Sequence, residues 1–235
     1  MYVDYLLKNV IAPNDDAILW RYFKFEHFCD LIDTSTLYFS RADKFEDKNE
    51  GLTTDGTYQE IQNQLGDLVA ANTITFFKDT MRNYMFVSCW HMCDEEAQRM
   101  WTEYGANGIA IQTTSGQLKA AISDGREVVI GQVQYVNPDY VAQDGDVYKQ
   151  ILLKHPSYSS EKEVRLIHCA GGPSGWLGVN DCHDEIGLKL TVDLRSLISK
   201  VVMAPNSSKE KTEQIKSLLT KQGLDSAQLT NSSLE

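Results

Sequence analysis

Few side chains in this sequence are placed to do chemistry. Arg21 lies inside the apolar run Leu19-Trp20-Arg21-Tyr22-Phe23. A guanidinium there needs a partner, because an unpaired buried charge is expensive. The partner is either internal, with Glu46, Asp47 and Glu50 as candidates, or a ligand phosphate or carboxylate, which Arg binds bidentately. Those three acids belong to Phe45-Glu46-Asp47-Lys48-Asn49-Glu50-Gly51, which reads as a solvated turn or as an acidic loop at a pocket mouth. Ser88 closes an apolar strand, where a hydroxyl is often satisfied by neighbouring backbone. Glu161-Lys162-Glu163 opens another strand, as edge charge or as a catalytic pair. Cys89, His91 and Cys93 alternate, so on an extended segment they share one side, and Cys182-His183 could complete a zinc shell. The chain lacks the CxxC knuckles of paired structural zinc sites, so no metal is expected.

Other chemistries are excluded by absence of their motifs. No GxxxxGK[ST] loop and no strand-following GxGxxG occurs. There is no HExxH and no G-x-S-x-G elbow. The 235 residues are 42% hydrophobic and 23% charged, enough apolar material for a substantial core in one domain, 1–235. Lys and Arg number 22 against 33 Asp and Glu, a net charge of −11 with a pI near 4.9. That balance argues against nucleic acid or an anionic membrane as partner. No run approaches the roughly 18 consecutive apolar residues of a membrane span. No secretory signal is visible, and five cysteines without framework spacing read as reduced thiols. The expectation is a cytoplasmic protein.

The elements that must position these residues are mostly strands. Apolar and β-branched runs predict strands at 17–22, 36–40, 84–90, 108–113, 128–136, 163–167, 188–192 and 200–203. Helices are predicted at 25–32, at 58–70, and at 94–104 with Asp94 as N-cap and Gly105 as stop. A last helix follows a capping box of Ser207 and Glu210, shows Ile215, Leu218 and Leu219 on one face, and closes at Gly223. Strands and helices do not alternate regularly, so the expected class is α+β, with mostly antiparallel mixed sheets and inserted helices.

The order Leu19-Trp20-Arg21-Tyr22, Leu37-Tyr38-Phe39-Ser40, Phe45-x-Asp47-x-x-Glu50-Gly51 and Val87-Ser88-Cys89-Trp90-His91 resembles a bacterial and phage family. Met100-Trp101-x-x-Tyr104, Gly108-Ile109-Ala110-Ile111 and Glu161-x-Glu163-x-Arg165-Leu166-Ile167 continue the likeness, over about residues 17 to 205. The family is filed as domain of unknown function twenty-nine seventy-one and brings almost no established activity. More remotely, Arg21, then Phe86-Val87-Ser88, then Glu161-x-Glu163 resemble ADP-ribosyltransferases of the arginine–serine–glutamate class. Here the serine motif continues as Ser88-Cys89-Trp90 rather than Ser-Thr-Ser.

The second resemblance implies an ADP-ribosyltransferase-like fold and NAD as substrate. Cleaving the glycosidic bond of NAD leaves positive charge on the ribose, which a fixed carboxylate stabilises. Glu163 is expected in that role, and Glu161 as general base on an acceptor. Arg21 would hold the diphosphate, and Ser88 would position the ribose or Glu163. Trp90 or Tyr104 would stack on nicotinamide or adenine, with Trp101 and Tyr104 also suited to packing on the sheet. Arg41, Lys154 and Arg165 are further sources of local attraction for an anion. Such a protein, acting on NAD with a protein acceptor or on NAD alone, would suit a toxin, phage defence or counter-defence. Two alternatives stay open. One is a non-enzymatic module that binds a nucleotide-like ligand or a protein partner; the other is a metal-dependent hydrolase using Asp47, Glu50 and His91.

Overall fold

The fold is built outward from one long central strand. The structure is a computed structural model and describes residues 10–47, 49–142, 147–170, 185–224 and 229–234. Its strands are β1 (Ile18–Phe23), β2 (Thr36–Arg41), β3 (Met85–Met92), β4 (Ile109–Thr114), β5 (Val129–Gln132) and β6 (Gln134–Tyr135). They continue with β7 (Leu153–Lys154), β8 (Glu163–Cys169), β9 (Gly187–Thr191), β10 (Lys200–Met203) and β11 (Leu229–Asn231). The α-helices are α1 (Phe25–Thr34), α2 (Asp55–Leu65), α3 (Asp67–Thr75), α4 (Arg82–Tyr84) and α5 (Gln98–Tyr104). After them come α6 (Ser115–Ala121), α7 (Val147–Ile151), α8 (Leu194–Leu197) and α9 (Lys209–Lys221). The class is therefore α+β, with a mostly antiparallel sheet.

Nine strands form one sheet. Its path runs β11-β10-β4-β1-β3-β2-β9, with β8 also paired to β3 and β5 to β8. Among the described residues only β10 and β11 are parallel within it. Strand β8 follows one edge of β3 from Met85 to His91. The opposite edge is shared by two strands: β2 takes Phe86 and Val87, and β1 takes His91 and Met92. Between them, Ser88, Cys89 and Trp90 have no strand partner on that edge among the described residues. Each of the diverging strands is committed on its outer side, β1 to β4 along its whole length and β2 to β9. The sheet thus forks at the middle of β3.

Alternation along β3 sorts its side chains onto two faces. Phe86 and Trp90 enter the main core with Leu19 and Phe23 of β1, Phe28 and Ile32 of α1 and Leu118 of α6. Val87 shares the other face with Cys89 and His91. On that second face α5 packs Met100 and Trp101 against Trp20 and Tyr22, with Trp101 edge-on to Tyr22 at 4.9 Å between ring centres. No helix among the described residues is long and apolar enough to cross a membrane.

Several boundaries differ from expectation for local reasons. The helix expected over 58–70 is two helices, broken at Gly66, whose φ of 89° suits a glycine. The strand expected over 128–136 stops at Gln132 and resumes as β6. Ser207 does not cap α9. Its hydroxyl donates to the Ala204 carbonyl, and Ser208 accepts from the Lys211 amide instead.

Helix α5 begins at Gln98 rather than Asp94 because Glu96 is taken up elsewhere. Its carboxylate accepts from Trp101 Nε1 (2.9 Å), Ser232 Oγ (2.6 Å), Ser233 N (2.7 Å) and Ser233 Oγ (2.8 Å). Burial pushes its pKa upward, but these donors outweigh it and the net shift is down. A carboxylate with a depressed folded pKa stabilises the protein above its unfolded pKa, here near 4.5, and loses that contribution as pH falls through the folded value. Glu96→Gln should therefore cost about 1–3 kcal/mol at pH 7 and flatten the acid limb of the stability curve. Urea titrations of both proteins between pH 3 and 7 check this. Parallel curves for the two proteins would refute it.

A candidate active-site cleft at the sheet fork

The fork opens into a cavity of about 330 Å³. Its floor is the outer face of the sheet: Trp20 and Tyr22 of β1, Cys89 and His91 of β3, Glu163 and Arg165 of β8. Tyr38 and Ser40 of β2 form one side, and Met100 and Tyr104 of α5 lie across from them. Glu46 and Glu50 contribute from the loop after β2, so the acidic segment stands at a pocket and is not a free turn.

Arg21 occupies the fork itself. Its guanidinium donates to Ser88 Oγ and, at 3.0 Å, to the Tyr38 carbonyl, so it ties β1 to both β3 and β2. It stands 5.2 Å from the Phe23 ring and 5.8 Å from that of Trp90. Burial lowers its pKa to about 10, which leaves it charged at neutral pH. None of the expected acids meets it. Among the described residues Arg21 has no carboxylate partner.

Those acids are claimed by other cations. Arg165, 1% exposed, holds Glu163 with a fork of two bonds, Nε to Oε1 and Nη2 to Oε2, each 2.8 Å. It also contacts Glu50 and the Ile151 carbonyl. Lys154 reaches Glu161 Oε2 at 2.7 Å, Glu163 Oε2 at 3.1 Å and Glu50 Oε1 at 3.7 Å. Three carboxylates therefore face two cations. Asp47 instead accepts from the Asn49 amide, and Arg41 pairs with Asp43.

Proton affinities follow from this geometry. Burial pushes the Glu163 carboxyl above its usual range, although Lys154 and a hydrogen bond from the Cys89 thiol pull the other way. Burial also raises the Cys89 thiol, helped by the Glu163 charge beside it. Burial draws Lys154 down, but Glu163 and Glu161 more than offset that and keep it firmly protonated. His91 is buried, which lowers its pKa, and its Nδ1 lies 2.5 Å from the Glu161 carbonyl. A carbonyl only accepts, so Nδ1 carries a proton.

Arg21, Glu161, Glu163, Trp90 and Tyr104 all border this cleft; Ser88 does not. Its hydroxyl is fully buried on the opposite face of β3 from Cys89. It cannot position a ribose or Glu163 from there, and it holds Arg21 instead. Trp90 is 2% exposed and donates its indole N–H to Ser88 at 3.2 Å, so it braces the guanidinium and offers no free ring face for stacking. Tyr104 is 46% exposed, with its hydroxyl 3.5 Å from Glu161 Oε1, and remains placed to meet a ligand. Trp101 packs on the sheet as expected. Lys154 and Arg165, expected to attract an anion, are consumed by carboxylates. Glu161 and Glu163 both face inward, 5% and 6% exposed.

Among the described residues no group of three His, Cys, Asp or Glu side chains is arranged to hold a metal. Cys182 and His183 lie outside those residues. No family model, curated protein or solved structure matches the chain.

Proposed function

We propose that the protein cleaves the nicotinamide–ribose bond of NAD on an ADP-ribosyltransferase-like fold, passing ADP-ribose to an acceptor or to water. One observation carries the reading: at the fork, a guanidinium without a carboxylate partner borders the same cleft as a buried, rigidly held carboxylate. The first suits a diphosphate, which Arg binds bidentately. The second suits the positive charge that develops on ribose as the C1′–N bond breaks and its electron pair leaves with nicotinamide. The incoming hydroxyl or amine then bonds to C1′ and gives its proton to Glu161. Its Oε2 is held by Lys154, and its Oε1 meets only the long contact from the Tyr104 hydroxyl at 3.5 Å. The motif order from Arg21 through Ser88 to Glu163 supports the same reading.

A second reading has its own support. Both Glu163 oxygens are engaged by Arg165 and Lys154. A carboxylate so fully satisfied also suits a sensor that binds a nucleotide without turning it over.

The test is nicotinamide release and label transfer from adenylate-labelled NAD, with a cell lysate as acceptor source. Wild type should turn over NAD. Arg21→Lys should raise KM roughly tenfold or more, because a point charge replaces a planar fork. Binding without turnover would favour the sensor, and neither binding nor turnover would overturn the NAD reading.

A further inference from the structure

A cavity of 330 Å³ sits at the lower end of what a drug-sized ligand fills. On the NAD reading, a space of that size suits one nucleotide half and leaves the other to lie outside. Two neighbouring cavities could receive the remainder. The larger, about 660 Å³, meets the cleft at Glu50 and Lys154 and carries Asp47 and Asp55 as well. Three carboxylates against one lysine repel a diphosphate. The other, about 510 Å³, is lined by Arg126, Lys189 and Glu185 and touches the cleft through a single residue, Tyr38. Its formal balance is positive, although Arg126 and Lys189 also engage Asp124 and Asp30.

Tyr38 joins these two spaces by its position on β2. It points outward between the buried Leu37 and Phe39 and is 42% exposed. Its backbone carbonyl accepts from Arg21. Its phenol end leans across to β9 and lies over Gly187, where a Cβ would come within 2.1 Å of the hydroxyl and 2.3 Å of Cζ. A glycine is needed at that point of β9 so that the ring can lie over the strand. An aromatic ring backed by a strand and open on its other side is a platform for a flat base.

We propose that Tyr38 is the stacking platform for the purine of the bound dinucleotide, with Gly187 seating the ring and Arg21 taking the diphosphate between the two halves. This rests on the NAD reading of the cleft. The ligand class is an adenosine diphosphate-bearing nucleotide, entering over β2 and β9 with its nicotinamide end toward Glu163.

The experiment compares binding of NAD and of nicotinamide mononucleotide, which lacks the adenosine half, by calorimetry. Tyr38→Leu should weaken NAD about tenfold or more and leave the mononucleotide unchanged, since stacking on one base is what is removed. Tyr38→Phe should keep NAD affinity within about twofold. Gly187→Ala, which retains Tyr38 but displaces its ring, should reproduce the loss for NAD alone and serves if Tyr38→Leu does not fold. Equal loss of both ligands, or loss of neither, in folded variants would overturn the platform while leaving the cleft reading intact. Failure of wild type to bind either ligand would overturn the cleft reading and the platform with it.

Discussion

Glu163→Gln should bind NAD within a few-fold of wild type yet release nicotinamide at least about a hundredfold more slowly, the scale of losing one aligned electrostatic group at a transition state. The amide preserves the shape and can still accept from Arg165, which keeps Glu50 as its second partner. What disappears is the negative charge facing the ribose. The pH profile sharpens the test. Burial raises the Glu163 pKa above the ordinary 4.5, and the ionised form is the one that works. Turnover should therefore fall with decreasing pH at a point above the usual glutamate range. In the residual activity of the variant that limb should be missing. Wild-type rates in Glu163→Gln would remove the carboxylate from the mechanism, and the conservative shape leaves little room to blame misfolding.

Arg165→Met should destabilise the protein by about 3–5 kcal/mol, the scale of stranding buried charge by deleting its partner. Glu50 and Glu163 would then share a pocket with only Lys154 between them. Adding Glu163→Leu to Arg165→Met should recover part of the loss, because an apolar pair of similar volume removes the stranded charge. Urea unfolding of wild type, both single variants and the double variant closes the cycle. A cost below about 1 kcal/mol for Arg165→Met would mean that the pair is effectively solvated. The two experiments are complementary: one asks what the carboxylate does to a substrate, the other what holds it still.

Much of this architecture is legible in the residues. Strand β3 announces itself because Met85 to Cys89 is apolar enough to be nothing else, and β10 matches its expected span at 200–203. Helix α6 lies outside the expected helices although Thr114 and Gln117 form a capping box before Leu118, because seven residues between strands carry little apolar periodicity. One partner of Glu163 follows from strand periodicity, because Arg165 lies two residues on and must share its face. The same rule puts Cys89 and His91 on that face and Ser88 on the other, so the motif serine serves Arg21 and not the glutamate. The fork was not readable. It depends on β1 and β2 meeting one edge of β3, and pairings across 45 to 73 residues leave no local mark. Lys154 was similarly obscure, since nothing near Leu153 indicates that its ammonium will join three carboxylates from two other segments.

The fork has a mechanical side. Strand β1, with β4, β10 and β11, forms one half of the sheet; β9, β2, β3, β8 and β5 form the other. Among the described residues, direct strand pairing between the halves amounts to Leu19 with Met92 and Trp20 with His91. Arg21 belongs to the first half and Glu163 to the second, so a molecule held by both bridges the joint where the backbone ladder is thinnest. Under the proposed reading such a ligand is a cross-brace as well as a substrate, pinning one half of the sheet to the other.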